Sequence, residues 1–168
     1  MEYYFLAVGE LSDAGTFQSE AWHYIYEWLK AHADGVLFYA HYDEDEVCQF
    51  FSPSFLGRIT RVEPFGGEPY SLFGYRCQMR AGEDWLELGR LRISPEDGLT
   101  HLFFYRHERL LGDIQIEDGL NFIGMKLNEE QRVKIASEIG EIEKSRELCE
   151  RWKVQISRFA GREEWEPI

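Results

Sequence analysis

The stretch Asp113-Ile114-Gln115-Ile116-Glu117-Asp118-Gly119-Leu120-Asn121-Phe122-Ile123-Gly124-Met125-Lys126-Leu127 decides how the fold is read. Two short runs, Asp113–Ile116 and Leu120–Leu127, flank Asp118-Gly119, a dipeptide that suits the positive φ values of a two-residue hairpin turn. Upstream the same grammar repeats. Leu99–His107 is entered through Pro95-Glu96-Asp97-Gly98, and Trp85–Ile93 through Ala81-Gly82-Glu83-Asp84. Tyr70–Arg80 alternates, with Phe73, Tyr75, Cys77 and Met79 on one face and Arg76, Gln78 and Arg80 on the other. Leu56–Glu63 closes at the loop signal Pro64-Phe65-Gly66-Gly67-Glu68-Pro69. Val36–Tyr42 and Val47–Phe51 flank Asp43-Glu44-Asp45-Glu46, read as a hairpin loop. With residues 3–9 as a buried strand, the expectation is an antiparallel meander of about seven to nine strands.

Such a sheet needs cover on its apolar face, and two segments carry a helical period. Phe17, Ala21, Trp22, Ile25, Trp28, Leu29 and Ala33 place an N-terminal helix at about 17–33, capped by Thr16 and ended at Asp34-Gly35 by a left-handed glycine. Asn128-Glu129-Glu130-Gln131 has the form of a capping box, and opens a long C-terminal helix at about 129–159. Ile135, Ile142, Cys149 and Ile156 repeat every seven residues along it, with Ile139, Leu148, Trp152 and Phe159 widening the stripe and Gly140 marking a bend or break. This stripe fits packing on the sheet, and its seven-residue repeat also fits a homodimer through the helix. The expected architecture is a single α+β domain over residues 1–168.

Composition narrows the function. The chain has 168 residues, 18 basic and 31 acidic, for a formal net charge of −13. That balance speaks against a nucleic acid or an anionic membrane as partner. Twelve Phe, nine Tyr and five Trp speak against disorder. No secretory signal or membrane-spanning run is expected, so the expected compartment is the cytoplasm. Cys48, Cys77 and Cys149 are widely spaced and read as reduced, mostly buried thiols. The charge is uneven: residues 1–50 hold ten acids against the single base Lys30, which is −9 of the total.

No glycine-rich phosphate loop, nucleophile elbow or zinc spacing occurs, so no catalytic residue, metal ligand or cofactor is assigned. His41 with Asp43 and Asp45 is the nearest thing to a ligand set, but it lacks the glycine and distal glutamate of a calcium loop. His101 and His107 lie six positions apart on one strand, about 20 Å, too far to share a metal or a bond. Tyr105-Arg106-His107-Glu108-Arg109 gathers acid, base and cation at a strand end. The leading expectation is a non-catalytic module that binds a basic protein. Asp43, Glu44, Asp45, Glu46, Glu20 and Glu27 would supply the charge, and Tyr39 and Tyr42 the contact area. An immunity-type inhibitor that occludes a cationic nuclease toxin has this profile by analogy of charge and size. The alternative is a small enzyme or ligand-binding domain. Its pocket would lie between sheet and helix, with His41 or His107 as acid/base group and Arg106 for an anionic substrate.

Overall fold

The computed structural model describes residues 2–7, 9, 19–65, 72–80, 82–107, 109–117 and 120–144. It is an α+β fold in which, among the described residues, eight antiparallel strands form one sheet and five helices are present. The strands are β1 (Glu2–Ala7), β2 (Gly35–Ala40), β3 (Ile59–Phe65), β4 (Leu72–Gln78), β5 (Leu99–Arg106), β6 (Arg109–Glu117), β7 (Leu120–Leu127) and β8 (Glu143–Lys144). The helices are α1 (Glu20–His32), α2 (Glu44–Phe50), α3 (Pro53–Leu56), α4 (Glu83–Leu88) and α5 (Glu129–Ile139). Sheet order is β3-β4-β2-β5-β6-β7-β1-β8. The expected meander therefore holds for β5-β6-β7 and for β3-β4. Elsewhere β2 inserts between β4 and β5, and β1 between β7 and β8. No helix among the described residues is long and apolar enough to cross a membrane.

Period-two alternation splits the strand residues between two faces. Val36, Phe38, Tyr75, Cys77, Leu102, Phe104, Ile114, Ile123 and Met125 share one core with Trp22, Ile25 and Leu29 of α1, Val47 of α2, Phe55 of α3, Leu88 of α4 and Ile135 of α5. All five helices thus cover the same face. Tyr3, Leu37, Tyr39, Phe103, Tyr105, Leu110 and Phe122 belong to a second core on the opposite face, where no described helix packs.

Of the expected helix 17–33, residues 20–32 are helical, and Thr16 lies outside the described residues. Its place as cap is taken by Ser19, whose side chain accepts from the Trp22 amide at 3.4 Å. Gly35 does not end this helix in a left-handed turn. It begins β2, where a Cβ would stand 1.9 Å from the Tyr105 ring. The expected hairpin around Asp43–Glu46 is absent: 44–50 is helix α2. Asp43 accepts from the Glu46 amide and Glu46 from the Asp43 amide, both at 2.9 Å. This is the reciprocal capping box that the sequence displays three residues apart. The expected strand Trp85–Ile93 is also a helix over 83–88, because Trp85, Leu88 and Leu91 at three-residue spacing turn one side inward.

At the C-terminal end, Asn128 and Gln131 form the expected capping box, at 2.8 and 3.0 Å. The helix they open stops at Ile139. Gly140 adopts φ 90°, and Glu143 and Lys144 pair with Phe5 and Tyr4. The helical stripe expected at 148–159 lies outside the described residues, and with it the repeat on which a helix-mediated dimer rests.

Candidate functional site

The expected partner surface is built on α2. Asp43 to Glu46 fill its cap and first turn, where carboxylates oppose the positive end of the helix dipole. All four are exposed, while Val47 alone of the helix is buried. Asp43 and Glu46 are engaged in the cap. Glu44 lies 3.3 Å from Arg61 on β3, an exposed pair of small energetic weight. Tyr42 packs its ring against Phe50 at 4.8 Å and is half-buried, and burial together with the Asp97 and Glu46 charges raises its hydroxyl pKa. Tyr39 does not belong to this surface: it is 0% exposed and faces the second core, where its ring meets Phe103 edge-on at 6.4 Å. Alternation on β2 sends residues 37 and 39 to one side and 36, 38 and 40 to the other, so a tyrosine at 39 cannot share the helical side with α2.

Glu20 and Glu27 are exposed on α1. Glu27 lies 2.5 Å from Lys30, whose ammonium also sits 4.7 Å over the Tyr26 ring. Because every helix lies on the same side of the sheet, α1 and α2 contribute their acids to one layer. That layer holds more than the first third of the chain suggests. The helices and their N-caps carry twelve carboxylates against three cations, Lys30, Arg132 and Lys134. The eight strands carry six cations against five carboxylates. The helices are thus richer in acid than the strands, although the loops beside α4 supply Arg58 and Arg90, which pair with Asp84 and Glu87.

One carboxylate of that layer turns inward. Asp84 is buried and held by both terminal nitrogens of Arg58, one at 2.6 Å, and by the Arg80 amide. These donors hold its carboxyl below the usual carboxylate range, the Arg58 bond contributing most. Beside α4 a cleft of about 510 Å³ opens toward α1, lined by Glu27, Lys30, Asp34, Met79, Trp85 and Leu86 among others.

The histidines do not gather into a pocket. His41 donates from Nε2 to the Pro95 carbonyl at 3.0 Å. His107 lies past the other end of the β2–β5 pair, since Gly35 faces Tyr105 and Ala40 faces Leu99. It adopts φ 50°, and both its amide (3.0 and 3.1 Å) and its Nδ1 (3.1 Å) engage the Asp34 carboxylate. Arg106 is exposed at the same end as His107, far from His41. His101, expected to share a strand face with His107, is buried, and desolvation lowers its imidazole to about 4. No group of three or more His, Cys, Asp or Glu among the described residues is placed to hold a metal. Cys77 is buried, which pushes its thiol up to about 11, whereas Cys48 is exposed on α2.

The sequence reading missed a polar cluster on the second face. Cross-strand register places His101, Gln115 and Phe122 in one row, and Phe103, Asp113 and Gly124 in the next. Asp113 is fully enclosed. It accepts from the Tyr3 hydroxyl at 2.7 Å and from Gln115 Nε2 at 3.1 Å. Burial raises its carboxyl to about 7 against the opposing effect of the Tyr3 bond. Gly124 makes the arrangement possible, because a Cβ there would stand 1.7 Å from the Tyr3 oxygen. Gln115 Oε1 is buried without a hydrogen-bond partner among the described residues. The polar-apolar pattern Asp-Ile-Gln-Ile was a visible signal for these residues, but nothing in it says that the polar side is also enclosed.

No protein-family profile, no curated protein and no solved structure matches this chain.

Proposed function

We propose that this protein is a non-catalytic interaction module whose acidic helical layer engages a basic protein. One observation carries the reading: the helices and their caps hold twelve carboxylates against three cations, two of the twelve being paired by Arg58 and Arg90 of adjoining loops, while the sheet beneath them is close to neutral. Fields from like charges on one side add within a Debye length, roughly 8–10 Å, and draw a cationic partner in that orientation. Asp43, Glu44, Asp45 and Glu46 on α2 and Glu20 and Glu27 on α1 supply the charge, and Tyr42 supplies a half-buried ring at its edge. Occlusion is the mechanism: carboxylates seated on lysines and arginines that otherwise bind phosphate would block a cationic nuclease, the action of an immunity-type inhibitor.

The test begins with cross-linking in the native cell and mass spectrometry, followed by titration of each purified partner. The expected partner has an isoelectric point above about 9, and its affinity falls as salt rises, chiefly through slower association. Reversing Glu20, Glu44 and Asp45 to lysine, which leaves the α2 capping box intact, is expected to weaken binding roughly tenfold or more. An acidic partner, or a basic one whose affinity ignores both salt and the triple reversal, overturns the proposal.

A further inference from the structure

Leu86 is 75% exposed, an unusual position for a large apolar side chain in the middle of an acidic helix. It forms one wall of the α1–α4 cleft. The half-buried Trp85 also lines it, its ring stacked on Phe104 at 5.7 Å and 25°. Met79, Ala31 and Ala33 add to the apolar lining. Two carboxylates also line the cleft, and they differ. Glu27 is matched by Lys30 at 2.5 Å. Asp34 has no lysine or arginine partner among the described residues. It is braced instead by the amide and ring of His107, and its side chain is 38% exposed. The cleft thus combines an apolar channel with an acid held in a fixed orientation at its edge.

We propose that this cleft anchors the basic partner by receiving one arginine side chain, whose methylene stem lies along Leu86 and Trp85 and whose guanidinium turns to Asp34. The inference rests on the reading of the helical layer as a surface for a basic protein, and it adds where that partner is gripped. Arginine fits each part of the lining. Its stem is apolar enough to cover Leu86, and its planar head stacks on an indole and offers a fork to a carboxylate. A leucine would cover the wall but leave Asp34 desolvated without a counter-charge. A lysine would bring the charge without the fork or the stacking plane.

The decisive probes are three capped tripeptides, glycine–X–glycine, with X as arginine, lysine or norleucine. They are titrated into the full chain while the Leu86 methyl and Trp85 indole NMR signals are followed. The expected order of affinity is arginine, then lysine, then norleucine, and Leu86→Ser is expected to weaken the arginine peptide roughly threefold to tenfold. Because Leu86 is exposed, this variant leaves the fold intact, which its amide spectrum verifies. Norleucine binding as tightly as arginine, or an unchanged affinity in Leu86→Ser, overturns the assignment. Arginine-dependent shifts confined to the amides of Asp43–Glu46 also overturn the cleft as anchor while leaving the acidic layer as the binding surface. If no peptide binds but a basic protein partner does, in a manner insensitive to Leu86→Ser, the cleft assignment again fails and the broader reading stands.

Discussion

Asp113 and His101 occupy neighbouring rows on the same buried face, and burial works on them in opposite directions. The folded chain holds the Asp113 proton up to about pH 7, far above the usual carboxylate range. Stability from this group therefore falls as pH rises from about 4 to about 7 and is level above that. The folded chain refuses His101 a proton until about pH 4, whereas the unfolded chain accepts it near the ordinary 6.5. Stability from His101 falls as pH drops through that interval, so the two slopes oppose each other. Asp113→Asn keeps an acceptor for the Tyr3 hydroxyl and removes the ionisation. In urea melts the variant and parent are expected to agree near about pH 4 and to differ by on the order of 4 kcal/mol near about pH 8, the variant being more stable. A constant difference across that range would show that the carboxyl does not titrate inside the sheet. Gly124→Ala forces a methyl into the space of the Tyr3 oxygen, and is expected to cost about 2–3 kcal/mol or more in the same melts.

α2 shows how one tetrapeptide supports two readings. Asp-Glu-Asp-Glu between apolar runs looks like a hairpin tip, yet Asp43 followed three residues later by Glu46 is the signature that correctly placed the start of α5 at Asn128 and Gln131. What hid it was Val47-Cys48-Gln49-Phe50-Phe51, a β-preferring run long enough for a strand. Val47 is the only buried residue of α2, with Phe50 packed part-buried against the same core, and two anchors three residues apart give little period to detect. α4 was concealed likewise, since six residues make less than two turns. The long, alternating or strongly periodic segments (β4, β5, β7 and most of α1) were legible because their pattern repeats several times. If the capping box supports α2, Asp43→Ala and Asn128→Ala should each lower stability by about 1 kcal/mol in denaturant melts, whereas Asp45→Ala should change it little. Equal effects from Asp43→Ala and Asp45→Ala would mean that charge near the helix end matters and the cap bond does not.

At the scale of the molecule, the acidic excess was legible as a number but not as a place. The chain count assigned it to residues 1–50. Folding spreads it over one face, because α4 and α5 join α1 and α2 there, while Arg61, Arg76, Arg106 and Arg109 go to strands and Arg58 and Arg90 to loops that pair with α4. Tyr39 left the candidate surface for a related reason: it stands four residues before the acidic run that begins at Asp43, but its strand face is the opposite one. A layer whose helices and caps carry twelve carboxylates and three cations, with Arg58 and Arg90 added by adjoining loops, repels itself when no partner is bound. Thermal melts of the isolated protein are therefore expected to shift upward as sodium chloride is raised from low to moderate concentration, and lysine substitutions at Glu20, Glu44 and Asp45 should flatten that response. A midpoint that falls with salt would contradict a crowded acidic layer.

β1 has a further consequence for how the protein is made. Its residues leave the ribosome long before those of β7, yet their place in the sheet lies between β7 and β8, and the Tyr3–Asp113 bond spans 110 positions of chain. Until Leu120–Leu127 has been synthesised, Tyr3 and Tyr4 have no groove to enter and must wait as exposed apolar side chains. Closing so long a loop is entropically slow. Arrested nascent chains that stop short of β7 should consequently remain protease-sensitive within β1, and chains extended through β8 should not.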